Sequence, residues 1–157
     1  MILLGVLFNL LFAESVAFHE GKYVEALDLY TYRDGNISYD ENKTVIHYKD
    51  GKVITKSDNT LTVHNKKQEL LTTIDLLTKP DIALYFSLTK ALFTKDFKSL
   101  EENFVVEKKS KQAYVFTPKG DIEKIMQKIE LHLKEDEEIE FFVLKFSNGD
   151  KVKIETK

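Results

Sequence analysis

DLLTKPDIALYFSLTKALFTKDFKSLEENF, residues 75–104, is where the hydrophobic period of this chain changes. Before it, apolar residues alternate with polar ones; from Thr78 they crowd together at helical spacing. Thr78-Lys79-Pro80-Asp81 has the form of a capping box, with proline in the first turn where its missing N–H is of no consequence. The helix that follows runs to Phe93. Ile82, Ala83, Leu84, Tyr85, Phe86, Leu88, Ala91, Leu92 and Phe93 spread over most of its circumference, so it must be covered on two sides. Phe97 and Leu100 predict a shorter second helix through KDFKSLEEN.

On the N-terminal side of this stretch the sequence reads as a meander. The runs VEALDLYTY, NISY, TVIHYK, KVITK, TLTVH and ELLTTI alternate apolar with polar or small residues, as antiparallel strands with one buried face do. Between them stand Asp34-Gly35, Asp40 to Lys43, Asp50-Gly51, Ser57 to Asn59 and Asn65 to Lys67, read as turns, the Asp-Gly pairs supplying positive φ. No proline precedes Pro80, so nothing interrupts ladder hydrogen bonding. Beyond the helices, FVVEK and QAYVF return to the strand pattern and Thr117-Pro118-Lys119-Gly120 turns the chain. DIEKIMQKIELHLK fits both periods; it is read as a short helix to about Met126, then a strand pairing with EIEFFVLKF across the acidic turn Glu135 to Glu138. Asn148-Gly149 predicts a two-residue type I′ hairpin before KVKIET. With no internal repeat and no linker, the expectation is an α+β fold: one strongly curved antiparallel sheet with helices.

Residues 1–17, MILLGVLFNLLFAESVA, carry one charge, Glu14, although no Lys or Arg precedes the apolar run. That run falls short of the roughly 20 residues that span a bilayer, and Ser15-Val16-Ala17 offers small residues for cleavage. Residues 1–17 are therefore read as a signal peptide and residues 18–157 as the mature domain, exported to the periplasm. The chain has no cysteine, hence no disulfide framework and no thiolate metal site. Its 23 basic and 26 acidic residues are scattered, which gives nucleic acid no basic patch to bind.

Motifs that carry chemistry are missing. His19, His47, His64 and His132 stand far apart in sequence, serine is sparse with no nucleophile elbow, and six glycines make no phosphate loop. The acidic run Glu135 to Glu140 lacks the alternating ligands and central glycine of a calcium loop and reads as a solvated hairpin tip. No enzymatic activity, metal or cofactor is expected. Two readings of the 11 phenylalanines remain open. Either they fill a packed core, or the helix bridges a sheet too curved to fill itself and lids an apolar cavity. In the second reading the lining residues are Leu27, Leu29, Ile37, Tyr39, Ile46, Tyr48, Leu61, Val63, Ile82, Phe86, Tyr114 and Phe116, with Phe86 working against ligand more than against the core.

The order of these patterns from about Leu27 to Thr156 resembles a short divergent branch of the LolA-like family, the periplasmic carriers of outer-membrane lipoproteins. The resemblance lies in YRDGNISYDENKTV, DNTLTVHN, the residues 75–104 quoted above, YVFTPKGDIEKIM and SNGDKVKIET. It implies an unclosed β-barrel with helices covering an apolar cavity, which shields lipoprotein acyl chains during transfer from inner to outer membrane. It also implies a monomer that works between an inner-membrane transporter and an outer-membrane acceptor. Better-known members have an arginine followed by proline after the glycine matching Gly35; here Tyr39-Asp40-Glu41 stands there, and Arg33 is the only arginine of the chain. The family's lid-latching role is not transferred to Arg33, which is expected to make a surface or turn contact. The departure keeps a second client class in view, a glycolipid or fatty-acyl lipid handled beside an envelope exporter. A third possibility is a packed envelope domain that only scaffolds partners.

Overall fold

A computed structural model describes residues 14–157. The expected leader thus falls largely outside the described residues, although β1 (Glu14–Val24) contains Ser15, Val16 and Ala17. A cut after Ala17 leaves the pairing of Phe18 to Tyr23 with the C-terminal strand whole.

The chain continues as β2 (Leu29–Tyr39), β3 (Lys43–Tyr48), β4 (Val53–Ser57), β5 (Thr60–His64) and β6 (Leu70–Asp75). After helices α1 (Pro80–Phe93) and α2 (Phe97–Leu100) come β7 (Phe104–Lys108), β8 (Ala113–Pro118), β9 (Met126–Leu133), β10 (Ile139–Phe146) and β11 (Lys151–Thr156). All eleven strands form one sheet in the order β6-β5-β4-β3-β2-β1-β11-β10-β9-β8-β7, with antiparallel neighbours throughout. β6 and β7 are left as edges, so the sheet is an unclosed barrel, and the helices join one edge strand to the other. Its curvature is visible in what touches what. Ile74 of β6 and Val152 of β11 line one hollow, yet six strand spacings separate them, about 29 Å in a flat sheet.

Helix α1 crosses the concave face. Its Phe93 ring meets Tyr39 of β2 at 6.1 Å and Phe142 of β10 edge-on at 5.3 Å, so both wings of the sheet grip the same turn. Phe97 of α2 packs against Tyr114 and Phe116 of β8, both at 5.8 Å. Beneath them Phe116, Met126, Ile129, Leu131, Phe142 and Leu144 are completely buried. Tyr39 carries the one orphan among the described side chains, a buried hydroxyl with no hydrogen-bond partner.

The helix begins where expected, with Pro80 in its first turn, but the capping box does not form. Residues Leu76–Thr78 make a short 3-10 turn capped by Asp75, which accepts from the Leu77 N–H, while Thr78 donates back to the Asp75 carbonyl. Two turns also differ from expectation. Asp34-Gly35 lies inside β2, and the first hairpin turns instead through a 3-10 segment, Glu25–Leu27, with Asp28 in the left-handed region. Gly35 serves close approach, not positive φ: a Cβ there would stand 2.8 Å from the His47 carbonyl and 2.9 Å from the Phe18 ring. The Asn148-Gly149 hairpin is a three-residue loop, not type I′. Phe146 donates to Asp150, Gly149 donates to Phe146, and Gly149 alone of the pair has positive φ, +90°. The tips at Asp50-Gly51, at Asn65 to Gln68 and at Glu135 to Glu137 repeat this pattern, each with an Asp or Asn side chain accepting from the backbone two residues on.

Candidate functional site: a cavity under the first half of helix α1

The wings of the sheet are filled differently. Ile54 of β4, Val63 of β5 and Ile74 of β6 point to the concave side yet stay partly exposed, because what faces them is a hollow of about 590 Å³. Ile46 and Leu61 complete this apolar wall, and Ile125, Phe146 and Val152 close the opposite side. The roof is the first half of α1, through Ile82, Tyr85 and Phe86. From Leu88 onward the same helix is buried against protein. Its wide apolar circumference therefore serves two surfaces, a packed one and an open one.

One end of the hollow is polar. Glu20 of β1 is buried and Arg33 of β2 lies opposite it in the pairing register. Arg33 donates to Glu20 Oε1 at 2.8 Å, and Tyr85 of α1 donates to Oε2 at 3.0 Å. Tyr48 of β3 reaches the same oxygen at 3.4 Å, and the Arg33 guanidinium lies 4.2 Å over the Tyr48 ring. Burial first, and the Glu20 charge second, push the hydroxyls of Tyr48 and Tyr85 well above the ordinary tyrosine range. Both remain donors at neutral pH, so Glu20 is held by three donors from three elements. Burying a carboxylate is costly, and hydrogen bonds of this number offset that cost. Around it, Lys22, Asp81 and Lys124 are exposed where the hollow opens to solvent. The hollow thus combines an apolar wall with one polar end and a charged opening.

Of the residues singled out in the sequence, Ile46, Tyr48, Leu61, Val63, Ile82 and Phe86 line the hollow. Ile37, Tyr39 and Phe116 are buried in the packed core, and Tyr114 is half-buried against Phe97. Leu27 and Leu29 are exposed, because the run expected to be a strand there is a turn and a projecting strand end. Arg33 corrects its expected surface role by pairing with buried Glu20 inside the site. Glu20 itself was not legible: one acidic residue shortly after an apolar run carries no mark of burial. Ile54 and Ile74 were within reach, since they sit on the same alternating parity as Ile46 and Leu61, which they face across β3–β4 and β5–β6. His47 and His64 lie either side of Val53 and are not neighbours. Among the described residues no three His, Asp or Glu are arranged to hold a metal.

No protein-family model matches this chain, and no curated protein matches it in sequence. Solved structures do. A LolA superfamily protein from Nitrosomonas europaea superposes with a TM-score of 0.43 at 7% identity, over 92% of this chain and 84% of that one. An outer membrane lipoprotein-sorting protein domain from Vibrio parahaemolyticus gives 0.39 at 7% identity, over 91% and 82%. This chain is similar to both. At these scores the likeness is a similarity and nothing more; the unclosed barrel stands on this chain's own strand pairing.

Proposed function

We propose that the protein is a carrier that takes the acyl part of a lipid or lipoprotein out of water and holds it under helix α1 while it crosses the periplasm. The observation that carries this reading is the largely apolar hollow of about 590 Å³ under helix α1, open to solvent on one side, which the chain does not fill. Apolar wall that faces water gains by being covered with apolar ligand, and each methylene moved out of water contributes about 0.8 kcal/mol. Lipoproteins in transit between membranes are the client class that the family resemblance implies. Export through cleavage of residues 1–17, an inner-membrane donor and an outer-membrane acceptor belong to the same reading.

A second client class, a glycolipid or fatty-acyl lipid, belongs to the same reading, since the apolar wall of Ile46, Ile54, Leu61, Val63 and Ile74 suits the chains of either. The experiment is lipid mass spectrometry on protein purified from its native envelope, with N-terminal sequencing of the same sample. Acyl species co-purifying with a chain that starts near Phe18 is the expected result. Protein free of lipid, retaining Met1 and staying in the cytosol, contradicts it.

A further inference from the structure

Arg33 has more hydrogen-bonding capacity than its protein partners use. A guanidinium carries five N–H donors in a planar fork, and the ion pair with Glu20 accounts for one nitrogen. The other face and edge are fixed by stacking on Tyr48, with about a third of the side chain still open. Glu20, by contrast, accepts from Arg33, Tyr85 and Tyr48. The carboxylate therefore orients the guanidinium without consuming it, and Arg33 is itself part of the lining of the hollow.

Lys22 stands two residues along β1 from Glu20, on the same face of the sheet, and lines the hollow with no ion-pair partner among the described residues. The other charges at the opening are engaged or isolated. Lys124 pairs with Asp121 at 2.8 Å, Asp150 accepts from the Glu25 N–H and the Asn148 amide, and Asp81 stands on the helix roof. Arg33 and Lys22 are the two cations whose donors remain open next to the apolar wall. Charge-assisted bonds from a fixed fork select planar or tetrahedral oxyanions over neutral hydroxyls.

Resting on the carrier reading above, the geometry points to a specific ligand chemistry: an amphiphile with an anionic head, a carboxylate or phosphate monoester. Its head sits on Arg33 and Lys22, and its chain runs under Ile82 and Phe86 toward Ile54 and Ile74. Tyr85 bridges the two ends, since it roofs the hollow and bonds the carboxylate that holds Arg33 in place.

The test is displacement of the neutral probe N-phenylnaphthylamine from the delipidated protein by four ligands of equal chain length: palmitate, hexadecyl phosphate, hexadecanol and hexadecylammonium. The anionic ligands are expected to bind about tenfold more tightly than the alcohol, the effect of one hydrogen bond to a charged group. Whichever of palmitate and the phosphate binds better identifies the head. That preference should shrink in Lys22→Gln, shrink in the double variant Glu20→Gln/Arg33→Gln, which removes both charges so that neither is left bare, and vanish when the three changes are combined; if the double variant does not fold, Lys22→Gln decides. Equal or tighter binding of the alcohol or the ammonium overturns the anionic head and leaves the carrier reading standing. A preference unchanged in the variants overturns the assignment to Arg33 and Lys22. No displacement by any of the four overturns the carrier reading with it.

Discussion

The two wings of the sheet use the same alternation for opposite ends. On the side of β8, β9 and β10, inward residues are large, completely buried and covered by the second half of α1 and by α2. On the side of β3 to β6, Ile46, Tyr48 and Leu61 are buried as well, but Ile54, Val63 and Ile74 stay partly exposed to a hollow, under the first half of the same helix. One wing holds the fold together and the other holds space. The lesson is that a strand's apolar face says that something covers it, and only the geometry of the whole sheet says whether that cover is protein.

Truncating Phe142 should break the packed wing. Phe142 is completely buried and edge-on to Phe93, so Phe142→Ala is expected to cost about 3–5 kcal/mol in urea unfolding. If it costs no more than a cavity-lining substitution, the wings are not different in kind. The matching change in the open wing is Ile74→Ala. Because its side chain already faces empty space, truncation creates little new cavity, and the expected loss is about 1 kcal/mol, below the 2–5 of a packed isoleucine. Displacement of a fluorescent probe by palmitate should nonetheless weaken, whereas Phe142→Ala leaves it little changed among molecules that remain folded.

The sequence carried the alternation, the helix start at Pro80 and the last hairpins, because these depend on neighbours within a few residues. The order of strands, and the role of Gly35, depend on partners far away. Asp34-Gly35 looks like a turn in isolation, and it is the close approach of Phe18 and the His47 carbonyl that makes a glycine necessary within a strand. For the hollow, parity found Ile46, Leu61 and Val63, but the same rule named Ile37 and Phe116, which face protein. No local signal separates these, since both sets point inward. The polar end was beyond reach for a related reason: the bond between Tyr85 and Glu20 joins residues 65 positions apart.

A smaller effect sharpens the boundary between the wings. Tyr39 packs against Phe93 at the C-terminal end of α1, and its buried hydroxyl has no partner. Tyr39→Phe should therefore leave stability unchanged or raise it by up to about 1 kcal/mol, read as a shift in the urea midpoint. A marked loss would mean that the hydroxyl is hydrogen-bonded in solution. Smaller still is the contribution of Asp34 at the junction of the wings. It accepts from Lys157 at 2.7 Å, from His19 at 2.9 Å and from Lys49 at 3.3 Å, and these donors hold its carboxyl below the usual carboxylate range. Because the folded form binds its proton more weakly than the unfolded chain, this contribution is present above about pH 4 and fades as the pH falls below it. An Asp34→Asn variant should show a flatter acid limb in stability measured against pH, and an unchanged limb would remove Asp34 from the account.

The most direct test of the central claim is methyl NMR of the delipidated protein titrated with palmitate. The account predicts shifts in the methyl groups of Ile46, Ile54, Leu61, Val63, Ile74 and Ile82, with those of Ile129, Leu131 and Leu144 nearly still. Shifts spread evenly over both wings, or confined to the exposed Leu27 and Leu29, would contradict it.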